Sequence, residues 1–387
     1  MDNLKKVNIP RLNFWEKADI PFALLSIVAA ALKATVTGVF RDQSSPEKFA
    51  HHVKAAVIRR LLDRTSGPQK LYVYLISWMD LEDEGGRGGI ENSADDPTAR
   101  YINLPTTDVY ISVMHKGGHR PEIVSLAHDA EGFWLGNKDA KTVVVYYHGG
   151  GFAMAAVSAH FQFWLDLIHE VNNYGHDIAV FFLHYTLTPY ATYPTQLRQA
   201  VEALRHILVD TDRSASSVIL GGDSAGGNLA MATLLHLSHP HPEIEPILLL
   251  APLAGVFSLS PWINFKGDWI SMKENRWKDI ITPGALRTWS AVYIADKGVD
   301  YWNEPDRAPV GWWKNAKTER MLILAGRDEI LLSSIEQFAK KIKSVFWNSI
   351  YYVGYGESHD APFFVEAGSK EGTQTGNKLR KWILSLL

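Results

Sequence analysis

Short, almost wholly apolar runs alternate along this chain with longer stretches that have the periodicity of helices. Residues 142–146, 177–183 and 320–325 are rich in β-branched and aliphatic side chains, as expected for strands that are buried on both faces. Residues 246–250 and 349–353 have the same character. Strands of this kind that alternate with helices are typical of a mainly parallel sheet covered by helices. The pattern therefore predicts an α/β fold.

The segment before these runs predicts that the sheet begins with antiparallel rather than parallel strands. Residues 108–114 and 122–126 have a strand-like composition, and we expect them to form an antiparallel start. A chain of 387 residues can bury one sizeable core, and α/β proteins of this size are often one domain with insertions. The sequence shows no internal repeat. We therefore expect one core that insertions interrupt.

Ser224 lies in the most informative stretch of the chain, I-L-G-G-D-S-A-G-G-N at residues 219–228. A strand-like segment at 217–220 leads into it, and a helix-forming segment at 229–237 follows. A serine between glycines on a sharp strand-to-helix turn has a strained backbone, and its hydroxyl stands above the edge of the sheet. The N-terminus of the helix directs amide N–H groups at any oxyanion that forms nearby. These features favour a catalytic nucleophile over an incidental serine in a tight turn.

A second glycine-rich segment follows the first apolar run. Three consecutive glycines, Gly149, Gly150 and Gly151, lie between His148 and Phe152. Residues without side chains let the backbone approach a ligand closely and present bare N–H groups to it. A flexible loop would also explain the glycines, but it explains less well why a histidine and an aromatic residue bracket them.

The two last apolar runs lead into residues that complete a nucleophilic site. Of the fifteen histidines, His359 lies just past the final strand-like run, where a general base belongs if the order is serine, acid, base. The preceding run ends in G-R-D-E, which offers Asp328 or Glu329 as the acid that orients the imidazole. The alternative for His359 is a solvated loop residue.

The combined motifs resemble those of the hormone-sensitive-lipase family of α/β-hydrolases, the family IV carboxylesterases. Residues 148–152 match its H-G-G-G-F segment, and residues 222–228 match G-D-S-A-G-G-N. Residues 185–194 are similar to its Y-R-L-A-P-E…F-P segment, with two residues replaced. The sequence of residues 193–200 is most similar to that of fungal members. The resemblance covers roughly residues 105–387.

This resemblance implies an α/β-hydrolase fold, a mainly parallel eight-stranded sheet with helices on both faces and a helical cap. It also implies that carboxylic esters are cleaved through an acyl-serine. The oxyanion donors would be the glycines Gly149, Gly150 and Gly151 together with Ala225, the residue after the nucleophile. The fungal likeness suggests an ester of secondary or sterol metabolism.

The family pattern leaves two questions open. Glu329 gives the better register to the family's D-P-L-R-D-E segment, whereas Asp328 has the commoner spacing after the glycine, so both stay candidates for the acid. The same fold also hosts acyltransferases, other non-hydrolytic enzymes and ligand-binding proteins that have lost the histidine. This chain retains a histidine at the expected place, which disfavours mere binding.

Two regions lie outside the predicted core, which comprises residues 101–254 and 316–387. Residues 1–100 predict an N-terminal helical cap segment and an acidic, glycine-rich linker. Residues 255–315 hold seven of the thirteen tryptophans and predict a helical cap insertion. Tryptophan offers a large apolar face with one polar handle, which suits the wall of a pocket and the packing of a cap equally well. We therefore expect a mostly apolar pocket for a small ester.

The N-terminal apolar segment allows more than one role. Its charge-free part, residues 20–32, is shorter than the ~18 residues of a helix that spans a membrane. We favour a cap helix over the active site. A peripheral membrane contact through residues 20–40 and a signal anchor are the alternatives.

Composition and charge limit which partners, cofactors and cellular locations are expected. The net charge is −3 and basic residues are scattered, so no nucleic-acid partner is expected. The chain has no cysteine, which removes disulfides and metal thiolates. We expect a cytoplasmic enzyme with no cofactor and no metal, with membrane association as the alternative, and a homodimer is compatible with the sequence.

Overall fold

The computed structural model describes residues 14–40, 45–46, 48–64, 106–364 and 372–387. The linker predicted within residues 81–99 lies outside the described residues.

Eight strands form one sheet in the order β1-β2-β4-β3-β5-β6-β7-β8. Strand β2 pairs antiparallel with both β1 and β4, and the pairs from β4 through β3 to β8 are all parallel. An antiparallel start and a parallel core are therefore present, as the sequence predicts. The strands are β1 Glu122–Ser125, β2 Glu131–Leu135, β3 Thr142–Tyr147, β4 Ile178–His184, β5 Val218–Asp223, β6 Gly255–Leu259, β7 Met321–Gly326 and β8 Ser349–Gly354.

Helices cover both faces of this sheet. Side chains of β3 alternate between two apolar clusters, with Val143 and Val145 in one and Val144 in the other. This alternation is the two-residue period of a strand that is buried on both sides. The helices are α1 Phe14–Thr37, α2 Phe49–Arg64, α3 Thr106–Lys116, α4 Ser158–Asn173, α5 Thr195–Arg205, α6 Ser224–Ser238, α7 Ile270–Glu274, α8 Pro283–Ile294, α9 Val310–Lys314, α10 Leu332–Lys343, α11 Ala361–Phe364 and α12 Gln374–Leu384.

Two predicted strands are wrong. Residues 108–114 belong to helix α3, in which Val109, Tyr110, Val113 and Met114 are buried. These positions repeat with the spacing of a helix face, which outweighs their β-branched composition.

The run at residues 246–250 is also not a strand, although it is apolar. Leu248 and Leu250 are exposed, and the strand between β5 and β7 is Gly255–Leu259 instead. Because this strand belongs to the core, the predicted start of the cap insertion at residue 255 is wrong. The insertion begins after Leu259, the last residue of β6.

The segment between β6 and β7 carries the helices α7, α8 and α9. Of its tryptophans, Trp262, Trp289 and Trp313 are buried, whereas Trp277 is half exposed. Most of these rings therefore pack the insertion onto the core.

The N-terminal helices pack against this insertion. Arg59 on α2 donates hydrogen bonds to the backbone carbonyls of Trp277 and Asp279. The hydroxyl of Thr282 donates to the carboxylate of Asp63 across 2.6 Å. Helix α1 lies on the outer side of α2. The two helices thus extend the cap on the side of the insertion.

Candidate active site

Ser224 lies at the turn between β5 and α6. Its φ is +49°, a left-handed conformation that a residue with a side chain adopts only under constraint. The neighbouring glycines make this turn possible, because a Cβ at Gly226 would collide with the backbone carbonyl of Tyr147. A Cβ at Gly222 would collide with the carbonyl of Gly226. The strained turn predicted from the sequence is therefore present, and it places the serine at the N-terminus of α6.

Ser224, His359 and Glu329 form one chain of hydrogen bonds. The Oγ of Ser224 is 2.8 Å from Nε2 of His359, and Nδ1 of His359 is 2.9 Å from Oε2 of Glu329. All three side chains are buried. The other carboxylate oxygen of Glu329 accepts the amide N–H of Gly326 across 2.9 Å, which fixes the rotation of the carboxylate. This geometry can move a proton from the serine hydroxyl to the imidazole while the carboxylate holds the other ring nitrogen.

Asp328 is not part of this chain. Its carboxylate lies 3.5 Å from the Nζ of Lys278 instead. The backbone N–H of Asp328 donates to the carbonyl of Glu357, and the carboxylate that contacts Nδ1 of His359 is that of the next residue, Glu329. The structure therefore contradicts Asp328 as the acid and places Glu329 at His359.

The glycine loop after β3 lies beside the nucleophile. The N–H of Gly149 donates to Oδ1 of Asp223 across 2.9 Å, so the structure contradicts Gly149 as an oxyanion donor. Gly150 and Gly151 have φ values of +106° and +62°. Within the described ranges, the amides of Gly150, Gly151 and Ala225 donate to no protein acceptor. These three N–H groups are therefore available to an oxyanion.

Asp223 holds the glycine loop against the nucleophile turn. Besides the amide of Gly149, its buried carboxylate accepts the hydroxyl of Tyr146 and lies 3.4 Å from Nε2 of His160. Burial alone would raise the pKa of Asp223, but the imidazole of His160 and these hydrogen bonds outweigh burial and lower it. The sequence showed this residue only as part of the serine motif.

A second carboxylate, that of Asp360, also faces the imidazole. Its Oδ2 is 3.1 Å from Nε2 of His359, the nitrogen that faces the serine. Burial disfavours the charged imidazole, but Asp360 and Glu329 outweigh burial and hold the pKa of His359 well above its usual value. Burial raises the pKa of Asp360 in turn. Both carboxylates therefore favour the imidazolium, the form that His359 takes once it has accepted the serine proton.

Asp279, in the cap insertion, positions both loops of the site. Its carboxylate accepts the backbone N–H of His359 at 3.0 Å, of Ile330 at 2.6 Å and of Ile280 at 2.7 Å. Burial raises the pKa of Asp279 to about 6. Sequence reasoning missed this residue, because nothing local distinguishes it from other acids of the insertion.

Aromatic side chains surround the glycine loop. The rings of Phe152 and Tyr293 stack with centroids 3.7 Å apart, and Trp289 lies so close to Gly151 that a Cβ there would collide with its ring. The backbone N–H of Trp262 donates to the carbonyl of Ser224 across 3.0 Å. The tryptophan-rich insertion thus provides apolar walls next to the nucleophile.

Comparison with known proteins agrees with the fold described above. A family model described as alpha/beta hydrolase fold matches residues 144–362, which is more than half of the chain. The chain is 26% identical over 217 residues to steryl acetyl hydrolase 1 of Saccharomyces cerevisiae, covering 52% of this chain and 48% of that protein. It is 28% identical over 176 residues to an acetyl-hydrolase of Streptomyces hygroscopicus, covering 45% of this chain and 54% of that protein. The chain therefore spans about half the length of these curated relatives.

A solved structure of similar fold is an esterase from the bacterial hormone-sensitive lipase family. It superposes with a TM-score of 0.57 at 21% identity, covering 74% of this chain and 94% of that one. At this identity the likeness shows the fold.

Proposed function

Since this chain belongs to the α/β-hydrolase family, among its hormone-sensitive-lipase-like members, we propose that it is a serine hydrolase that cleaves carboxylic esters of a small, largely apolar substrate. The observation that carries the proposal is the hydrogen-bonded chain from Ser224 through His359 to Glu329. It lies beside amide N–H groups that donate to no acceptor among the described residues.

Acylation begins when Ser224 attacks the ester carbonyl and Nε2 of His359 takes the hydroxyl proton. Glu329 stabilises the imidazolium that forms and keeps Nδ1 protonated. The carbonyl oxygen becomes an oxyanion, and the N–H groups of Gly150, Gly151 and Ala225 stabilise it. In a well-studied protease, loss of one such donor lowers turnover by about 10²- to 10³-fold. The imidazolium then gives its proton to the leaving alcohol, which departs and leaves an acyl-serine.

Deacylation repeats these steps with water. His359 takes a proton from water, the resulting hydroxide attacks the acyl carbonyl, and the same amides hold the second oxyanion. The imidazolium then returns its proton to Ser224, and the carboxylic acid leaves. No cofactor takes part in these steps.

The substrate proposal rests on the walls of the site and on the relatives. Trp262, Trp289 and Tyr293 bring buried aromatic faces to the nucleophile and the glycine loop, which suits an apolar group. The yeast and Streptomyces relatives are both named for acetyl groups. We therefore include a short acyl group, such as acetyl, in the proposal, carried by an apolar alcohol such as a sterol.

Hydrolysis is tested with p-nitrophenyl acetate and with a fluorophosphonate probe. The Ser224→Ala variant should lose turnover by about 10⁴-fold or more, by analogy with triad deletions in proteases, and should take up no probe. A matched control is Ser238→Ala at the opposite end of the same helix, which should keep full turnover and labelling. Full turnover in Ser224→Ala would refute the proposal.

A second experiment separates hydrolysis from acyl transfer to another acceptor. Adding a competing alcohol or amine and analysing the products distinguishes water from another acceptor. The free acid should remain the main product, and a predominantly transferred acyl group would make the protein an acyltransferase.

A further inference from the structure

Helix α1 carries large apolar side chains on its outer side. Phe22, Leu25, Leu32 and Val36 are each about two-thirds exposed, with exposed fractions from 64% to 67%. Their spacing places them along one side of a helix. Such a row of exposed large side chains is far more than the isolated surface leucine of an ordinary soluble protein.

The opposite side of α1 is built for close packing on protein. Ala23 and Ala34 are buried, as is Gly38 just beyond the helix, and the adjacent helix is α2. The Nε of Arg60 donates to the hydroxyl of Ser26 across 3.2 Å. Small residues on one side and large apolar residues on the other give the helix an inner face and an outer face. The inner face already has its partner, so the outer face is the one that needs an explanation.

The length and hydropathy of this helix suit a lipid bilayer as the partner of its outer face. Residues 18–40 have a mean hydropathy of 1.9, and only 17% of the apolar 18-residue window within them is buried. A helix of such hydropathy in the core of a soluble protein would be mostly buried. By length and composition the same residues would suffice to cross a membrane. The apolar side chains of this helix can therefore contact lipid hydrocarbon along its whole length.

Aromatic and basic side chains at the ends of the outer face are of the kinds favoured at the level of lipid headgroups. Trp15 and Phe40, at the two ends of the segment, are 79% and 82% exposed. Trp277 of the insertion is half exposed, and the guanidinium of Arg276 stacks on it at 4.5 Å. Aromatic rings are favoured at the level of the headgroups. Exposed basic groups on or next to α2, Lys48, Lys54 and Arg60, add a positive charge that suits anionic lipids.

The contacts of α2 determine whether α1 can span the bilayer or must lie on its surface. Helix α2 is tied to the insertion through Arg59 and Asp63, so it cannot leave the folded body without breaking these bonds. A spanning α1 would have to give up α2 or draw the charged side chains of α2 into hydrocarbon, which is unfavourable. We propose that the outer face of α1 docks on an anionic lipid bilayer and that the helix lies along the membrane surface. An interfacial helix of this kind inserts its apolar face by about 5–10 Å.

Docking in this way turns the cap side of the molecule towards the membrane. Arg59 holds the backbone at Asp279, and the carboxylate of Asp279 holds the amide of His359. Asp279 therefore joins helix α2 to the catalytic loop that carries His359. The docking itself does not depend on the proposed ester hydrolysis.

The test is flotation of the full chain with vesicles of phosphatidylcholine and phosphatidylserine in a sucrose gradient. The protein should float with these vesicles and float less with phosphatidylcholine alone. The double variant Leu25→Glu/Leu32→Glu should lower the partition coefficient by at least about tenfold, since two exposed leucines that would contact lipid are replaced by charges. The matched control is Leu248→Glu/Leu250→Glu, which adds the same charges at two exposed leucines elsewhere and should float like the parent.

Three results of the flotation experiment would overturn the proposal. The parent protein could fail to float, the α1 variant could float like the parent, or the control could lose binding equally. An equal thermal unfolding midpoint in all three proteins shows that folding is not the cause. Orientation is tested by protease treatment of sealed vesicles carrying the bound protein. Cleavage of an N-terminal tag from outside supports a helix lying on the surface, whereas protection of the tag shows a spanning helix and refutes this arrangement.

Discussion

Replacing Glu329 by glutamine removes one charge from the site without changing its shape, and it should lower kcat/KM by about 10³- to 10⁴-fold. Both oxygens of the carboxylate receive donors, one from the amide of Gly326 and one from Nδ1 of His359. Glutamine has one oxygen and one NH2 group, so it cannot accept from both.

Either orientation of the glutamine harms the site. If its oxygen stays on Gly326, its NH2 group donates to Nδ1 of His359 and forces the ring proton onto Nε2. The imidazole then points an N–H at Ser224 and cannot take the serine proton. If the amide is flipped, two buried donors face each other at Gly326, which costs about 1–3 kcal/mol. Both outcomes also remove the negative charge of Glu329 from the imidazolium.

The magnitude follows from the distance. Nδ1 and Oε2 are 2.9 Å apart, which places the centres of the two charges roughly 4 Å from each other. Opposite charges at about 4 Å attract by about 4 kcal/mol at an effective dielectric constant of about 20. This corresponds to about a thousandfold in rate, and the wrong ring tautomer adds to it. The comparable aspartate-to-asparagine change in a serine protease lowers kcat by about 10⁴-fold.

The assay is the initial rate with p-nitrophenyl acetate, and the matched control is Asp328→Asn. Asp328 is the adjacent acid and contacts Lys278 at 3.5 Å, so its replacement should change kcat/KM by no more than about threefold. Thermal unfolding midpoints verify that both variants fold. A loss in Asp328→Asn as large as that in Glu329→Gln, or a Glu329→Gln variant with more than about a tenth of the parent activity, would refute the assignment of the acid.

Two further predictions concern pH. Because Asp360 helps to hold the pKa of His359 well above its usual value, Asp360→Asn should move the acid limb of the kcat/KM profile to lower pH, and an unmoved limb would contradict this effect of Asp360 on the imidazole. Burial raises the pKa of Asp279 from 3.8 to about 6, so the native state binds this proton more tightly than the unfolded chain does. The stability that this provides is fully present below about pH 4 and is lost as the pH rises through about 6. Urea midpoints should therefore fall less across this range in Asp279→Asn than in the parent, and parallel curves would contradict the prediction.

The sequence predicts those parts of the site that local backbone requirements determine. The turn at Ser224 needs glycines at fixed offsets, because any Cβ there meets a backbone carbonyl, and this need is visible as a motif. Parallel strands end at the same edge of the sheet, so residues that follow the later strands could be assigned to the acid and the base once the order serine, acid, histidine of the α/β-hydrolases was assumed. The serine and the histidine of the hydrogen-bonded chain were therefore found from the sequence.

The sequence did not reveal those site residues whose role depends on the direction of a side chain or on contacts between distant segments. Asp328 and Glu329 follow the same strand, and only the direction of the chain after Gly326 decides which carboxylate faces the imidazole. Asp279 comes from the insertion and meets His359 and Ile330, which lie 80 and 51 residues further along the chain. No pattern within one element signals such a meeting.

Asp279 also limits how the cap can move. Its carboxylate accepts three backbone N–H groups, and its own carbonyl accepts Arg59 from α2. Hydrogen bonds to a charged group contribute about 1.5–3 kcal/mol each, so separating this part of the insertion from the catalytic loops would cost several kcal/mol. Such a separation would also release the backbone that positions His359. Substrate entry must therefore leave Asp279 in place, and any opening of the cap has to come from parts of the insertion that make no such contacts.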